Sequence, residues 1–343
     1  MFRPLTALLA ALAGLLAGCH VHAPEQVRIA INAWPGYEYL YLAQELGYLK
    51  SEHHEVRVVE MSSLASVRRA FERGHLNGIG ATLVDVAIAA DAGAVEPAVI
   101  VAVDVSDGGD AIMARQGLRS MRDLAGRTVA VEAASLNLYL LARALEMAGM
   151  SFDDIEVLTV DAGAMAAALH SGRADAVVTY PPVLTELKRN EQLEMVFSSA
   201  DIPGEVVDVL AIDATLAREH PDVTETIRSG FFRAFEYSLE HPEAIALMAA
   251  REGISLDEFQ AALADLDMIA ESRQRDWLGP EGRVRQALRQ VSGTLYANGL
   301  VESPRIGGCC LPSARRAAGQ RGITRQSKRR SGTLADGGGL AAK

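Results

Sequence analysis

From Gln26 to Ile212 the chain alternates short β-rich apolar runs with helical patterns. That alternation narrows the fold most, because strands separated by crossover helices assemble into α/β sheets. Strands are predicted at 27–33, 56–60, 78–81, 99–105, 128–131, 156–160, 176–179, 195–198 and 206–212. Helices are predicted between them at about 37–48, 64–73, 83–92, 120–125, 136–148, 163–171 and 182–190. In the helix at 136–148, Leu136, Leu140, Leu141, Leu145 and Ala148 recur at three- and four-residue spacing, with Ser135 as its N-cap and Gly149 as its C-cap. After Ile212 only helical patterns are expected, over 223–239, 244–250, 256–265 and 283–298, opened by proline at His220-Pro221-Asp222 and His241-Pro242-Glu243. Two stretches, VRVVEMSSLASVRRAFERGHLNGIGATLVD and IEVLTVDAGAMAAALHSGRADAVVTYPP, share the order strand, alanine-rich helix, Gly-containing turn and short strand.

With 343 residues, 49% of them hydrophobic and 22% charged, the chain is long enough for two ordinary domains and a sizeable core. Its one long apolar run, 5–16, falls short of the roughly 20 residues a membrane-spanning helix needs, so a polytopic membrane protein is excluded. The three cysteines, Cys19, Cys309 and Cys310, lie outside the patterned body, which therefore has no disulfide framework and no cysteine-rich metal site. Residues 304–343 hold nine Lys/Arg against Asp336 alone, whereas Cys19 to Ser303 holds 23 basic against 43 acidic residues. Such a body repels nucleic acid and anionic lipid, so no nucleic-acid partner is expected.

The ends differ from the body. MFRPLTALLAALAGLLAGC has the layout of a secretory signal, and Leu16-Ala17-Gly18-Cys19 resembles a bacterial lipobox. That resemblance implies a signal peptide over 1–18, cleavage before Cys19, lipidation of its thiol, and a mature protein anchored at the periplasmic face of a bacterial membrane. A plain signal peptide with an incidental cysteine is the alternative, and either way export is expected. From 304 onward the apolar periodicity stops and Gly, Ser and Arg dominate, so 304–343 is expected to be a disordered basic tail. A shifted reading frame is preferred over a polyanion-binding arm as its origin, and resequencing the gene tests this.

INAWPGYEYLYLAQELGYLK, with an aromatic and a glycine between an apolar strand and an LAQELGY helix, resembles the opening of bacterial ABC-transporter substrate-binding proteins of the nitrate, sulfonate, taurine and thiamine-pyrimidine group. The likeness continues through SLASVRRAFERGHLNGIGATL, DLAGRTVAVEAASLNLYLLARAL and AALHSGRADAVVTYPP, covering roughly 26–240. It implies an α/β fold of the periplasmic binding protein type II class, a two-lobed clamp with a helical C-terminal part. Lobe 1 would be 26–105 with 209–303 and lobe 2 would be 106–208, with crossings near Val103 to Ala111 and near Glu205 to Ala211. It also implies a small-molecule ligand, an ABC permease of the inner membrane as partner, and no catalysis. The same fold resembles thiamine-precursor synthases and menaquinone-pathway enzymes. The synthases carry a cysteine-rich motif that this body lacks, and both enzyme types are expected in the cytoplasm. A lipoprotein that signals to a membrane receptor is a further alternative.

In open α/β sheets ligands bind beyond the carboxyl ends of strands, where helix N-termini present unpaired amides. The candidate ligand-binding residues at those ends are Trp34, Gly36, Tyr37, Ser62, Ser63, Thr82 and Asp85 in one lobe. Ser135, Asn137, Asp161, Thr179, Tyr180 and Pro181 are their counterparts in the other. Each has a plainer reading: Trp34 and Tyr37 as plugs of the core edge, Ser62, Ser63 and Ser135 as caps, Asp85 as a first-turn residue of its helix. Glu205 and Asp208 are read as hinge or lobe-contact residues, and His53-His54-Glu55 as a loop in preference to a metal site. No cofactor and no metal are expected, and no phosphate loop or nucleophile-base constellation stands out. Because the candidate turns hold no Lys or Arg, the solute classes (sulfonate or taurine, a nitrate-like anion, a thiamine-precursor pyrimidine) are weighted toward a flat ring or an amine.

Overall fold

The computed structural model describes residues 25–304. The signal segment with Cys19 and the basic tail beyond Pro304 lie outside the described residues. The described chain forms two sheets. The first has strand order β11-β4-β10-β3-β1-β2, with β1 Glu25–Ile31, β2 His54–Glu60, β3 Gly78–Thr82, β4 Pro97–Ser106, β10 Val207–Asp213 and β11 Leu266–Met268. The second has order β7-β6-β8-β5-β9, with β5 Ala111–Arg115, β6 Thr128–Val131, β7 Glu156–Thr159, β8 Ala176–Thr179 and β9 Leu193–Ser198. In each, the crossover-linked strands are parallel (β1 with β2 and β3, β6 with β7 and β8), and the strands flanking the crossings pair antiparallel. The chain passes between sheets twice, at 107–110 after β4 and at 199–206 before β10.

The helices are α1 Glu38–Glu45, α2 Leu64–Glu72, α3 Leu83–Ala92, α4 Leu136–Ala148, α5 Met165–His170, α6 Val183–Lys188, α7 Ala214–Glu219, α8 Pro221–Glu240, α9 Pro242–Glu252, α10 Leu256–Ala264, α11 Gln274–Leu278 and α12 Arg283–Ala297. Local signals explain the sharper boundaries. The Ser135 hydroxyl accepts the Asn137 amide at the start of α4, and Gly149 ends that helix at φ +69°. In α2, Leu64, Val67 and Phe71 form a buried stripe. All ten residues of β4 are buried, as suits a central strand covered on both faces. Among the C-terminal helices, α8 packs on α1 and α12 packs on both α3 and α4.

Two expectations need correction. The region after Ile212 is not helical throughout, because β11 pairs antiparallel with β4 through Leu266 and Ser106. The strand β5, not anticipated, is the partner on which β8 and β9 meet. Three residues are too few for periodicity to register, and Ala-Ile-Met-Ala-Arg has little β-branched character. Where a metal loop was weighed, His54 opens β2, and its ring sits 3.0 Å from both the Ser51 and Thr226 hydroxyls. No cluster of three metal-ligating side chains occurs among the described residues. No described helix is long and apolar enough to cross a membrane.

Candidate ligand site between the two sheets

The turn after β1 is closed by the Tyr37 amide donating to the Trp34 carbonyl at 2.9 Å, and both side chains line the junction between the sheets. Trp34 Nε1 donates to Asp104 Oδ2 on β4 at 3.2 Å, and the Tyr37 hydroxyl donates to Asp208 Oδ1 on β10. Gly36 is a requirement of this packing, since a Cβ there would lie 2.0 Å from Asp104 Oδ2. Gly109 of the first crossing lets the chain run along the indole, where a Cβ would sit 3.0 Å from Trp34 Cη2.

The second sheet contributes from the opposite side. Tyr180, just after β8, sets its ring 6.5 Å from that of Trp34 at 75°, and its hydroxyl accepts the Leu64 amide of α2 at 3.3 Å. Glu132, at the end of β6, faces the Ser63 hydroxyl and the Ala65 amide. It is followed by Ala134 at φ +48°, an uncommon backbone for a residue with a side chain. Two groups from the second sheet thus occupy the N-terminus of α2, a position suited to negative charge. Around this junction Asn32, Trp34, Tyr37, Thr82 and Asp208 on one side, Leu136 and Tyr180 on the other, and Asp110 on the first crossing line a narrow cavity of about 10 Å³. A larger open groove of about 550 Å³, bordered by α4 and α12, includes none of the candidate residues.

The cavity is acidic. Burial pushes Asp104 up to about 7, with the charge of Asp110 adding to it and Trp34 opposing it. Burial likewise raises Asp110 to about 7, with help from the charge of Asp85 and against the nearby Ser106 hydroxyl, whose own hydrogen bond is to Ser199 at 2.8 Å. Asp208 stands well above the carboxylate range through burial first and then the charges of Asp104 and Asp110. Asp104 and Asp208 are directly opposite in the β4–β10 ladder, where like charges repel. Neither oxygen of Asp110 has a hydrogen-bond partner, nor does Asn32 Oδ1, while the Asp104 and Asp208 carboxyls face each other closely enough to share a proton. Unpaired polar atoms in such number at one junction are unusual in a folded interior.

The structure brings Trp34, Tyr37, Thr82 and Tyr180 together on the cavity, with Gly36 packed behind them. Thr82 caps α3 and donates to Asp85 Oδ2 at 2.6 Å. Asp85 stands behind the wall, 3.8 Å from Arg68 Nε and raised to about 7 by burial. Ser63 caps α2 at the rim, while Ser135 and Asn137 are buried at the start of α4, whose Leu136 reaches the cavity. Thr179 is buried at the end of β8, beside Tyr180. Ser62 and Asp161 are exposed, and Pro181 faces a separate surface pocket shared with α10. Sequence reasoning passed over Asn32, Asp104, Asp110 and Glu132 and read Asp208 as a hinge. A lone acid inside the apolar runs VAVDVS and VVDVLAI was the signal that could have found two of them.

Two α/β lobes joined by paired crossings, with a cavity where they meet, define the periplasmic binding protein fold. Residues 34–245 match the family model described as NMT1/THI5 like, and the chain belongs to that family. The alkanesulfonate-binding protein of Xanthomonas axonopodis pv. citri, bound to MOPS, superposes with a TM-score of 0.69 at 20% identity, over 82% of this chain and 96% of that one. The periplasmic nitrate-binding protein of Synechocystis superposes at 0.64 with 11% identity, over 81% and 83%. A Brucella abortus protein named as an inferred binding protein is 30% identical over 151 residues, 44% of this chain. The match spans 42% of that relative's length, under half of it.

Proposed function

We propose that this chain is an extracytoplasmic solute-binding lipoprotein, anchored through Cys19, that captures a small organic solute between its lobes and delivers it to an ABC import permease. One observation carries this reading: a cavity built jointly from both lobes, with Trp34 and Tyr37 on one side and Tyr180 and Leu136 on the other. A solute seated there touches both lobes only when they are together, so it binds the closed clamp better than the open one and shifts the population toward it. The binding proteins of known structure that share the fold, for alkanesulfonates and for nitrate, support the assignment to import. Transport itself belongs to the permease and its ATP-driven partner.

The test is thermal unfolding of the purified protein against alkanesulfonates, taurine, nitrate, hydroxymethylpyrimidines and small amines. A cognate solute at 100 times its Kd adds about 2.7 kcal/mol and raises Tm by several degrees. Trp34→Ala and Tyr180→Ala are each expected to weaken that solute at least about tenfold, about 1.4 kcal/mol. Unchanged affinity in both variants removes these rings from the site.

A further inference from the structure

The polar groups of the cavity select a charge. Asp110, on the first crossing, is 1% exposed, lines the cavity and offers two carboxyl oxygens that no protein group engages. Asp208, 2% exposed, is engaged by the Tyr37 hydroxyl and by the facing Asp104 carboxyl, while the Asn32 carbonyl oxygen on the same wall is unpaired. No Lys or Arg lines the cavity. The nearby cation Arg68 is turned to Glu72 and Asp85. Two of the α2 amides that could hold an anion are already committed, Leu64 to Tyr180 and Ser66 to Ser63, and Glu132 sets a carboxyl beside the amide of Ala65. Three aromatic rings complete the walls, with Trp34 6.5 Å from both Tyr37 and Tyr180. Buried carboxylates without a counter-charge are costly, and stacked or edged rings favour a cation over their faces. The free space is about 10 Å³, room for about one water, so a solute enters only as the lobes part, and a small one displaces them least.

We infer that the solute is a compact organic cation, whose ammonium group sits among the Trp34, Tyr37 and Tyr180 rings with Asp110 as its counter-charge. The inference rests on the solute-binding reading and departs from the anions named for the alkanesulfonate and nitrate proteins of the same fold.

Calorimetric titration of the full chain at pH 8 with tetramethylammonium, choline, ethylammonium, 3,3-dimethylbutan-1-ol, methanesulfonate and nitrate tests it. At least one ammonium is expected to bind, with the neutral choline isostere at least about tenfold weaker than choline where choline is the binder. Asp110→Asn, which keeps shape and removes charge, is expected to weaken the bound ammonium at least about tenfold while raising the Tm of the free protein, because it relieves a buried, unpaired carboxylate. A structural role for Asp110 would instead lower Tm. Ammonium affinity unchanged in Asp110→Asn overturns the inference. Binding of methanesulfonate or nitrate with all three ammonium ions silent also overturns it and leaves the solute-binding reading standing. Silence of all six probes counts against both.

Discussion

At Gly36 a single methyl group would decide the geometry of the site, because its Cβ would fall 2.0 Å from the carboxylate that holds the Trp34 indole. Gly36→Ala is therefore expected to displace Asp104, cost about 1–3 kcal/mol in urea denaturation, and weaken solute binding in the same preparation. The carboxyl groups predict a pH dependence whose sign follows from burial. Asp85, Asp104 and Asp110 are each raised to about 7, so the folded chain holds protons that the unfolded chain releases near pH 4. Their stabilising contribution is complete below the unfolded value and is lost as pH rises through about 7. The Tm of the free protein should accordingly fall from pH 5 to pH 8 by on the order of 5 °C. Glu38, pushed to about 7, and Glu252, pushed to about 9, act in the same direction elsewhere in the fold. The share belonging to the cavity is the part of the slope that Asp110→Asn removes, and a Tm that is flat or rising over this range contradicts the raised carboxyls.

At the scale of the elements, the boundaries legible in the sequence were those with a local cause. The helices α3 and α4 and the strands β6 and β8 lie where periodicity predicted them, and at α4 the predicted caps Ser135 and Gly149 act within a turn of their own position. What could not be read locally was which strands carry a crossing and what ties it down. Glu205 accepts from Arg143 at 2.7 and 2.9 Å and from the Tyr139 hydroxyl at 2.6 Å, fastening the second crossing to α4. Arg143→Ala leaves that half-buried carboxylate with tyrosine alone and is expected to cost about 1–3 kcal/mol in urea denaturation. A loss near zero would mean that the crossing is held by packing and not by this fork. The loop between β6 and α4 supplies a converse case: Ala134→Gly relieves a positive φ and is expected to leave stability unchanged or raise it by up to about 1 kcal/mol.

For the whole molecule, ion pairs remote from the cavity also join the two lobes. Lys188, the last residue of α6, meets Asp265 at 2.7 Å, and the adjoining Arg189 meets Glu258 of α10 at 2.6 Å, joining the second sheet's helices to the C-terminal helices of the first. Each exposed pair contributes little alone. Reversing both, as Lys188→Glu with Arg189→Glu, sets like charges against each other only in the closed form and is expected to lower solute affinity several-fold, read by calorimetry, with the effect shrinking in high salt. Full affinity at low salt would show that closure does not use this contact. By itself the amino-acid sequence determined the alternation of strands and helices, the capped ends of α4 and the family-like segments, because each is written in residues a few positions apart. The acidic character of the cavity was decided only by the tertiary structure. Antiparallel pairing of β4 with β10 sets Asp104 opposite Asp208, the first crossing adds Asp110, and the second lobe brings Tyr180 and Glu132 onto α2. Those residues are far apart in the chain, and their charges and rings act on one another only once the two sheets have met.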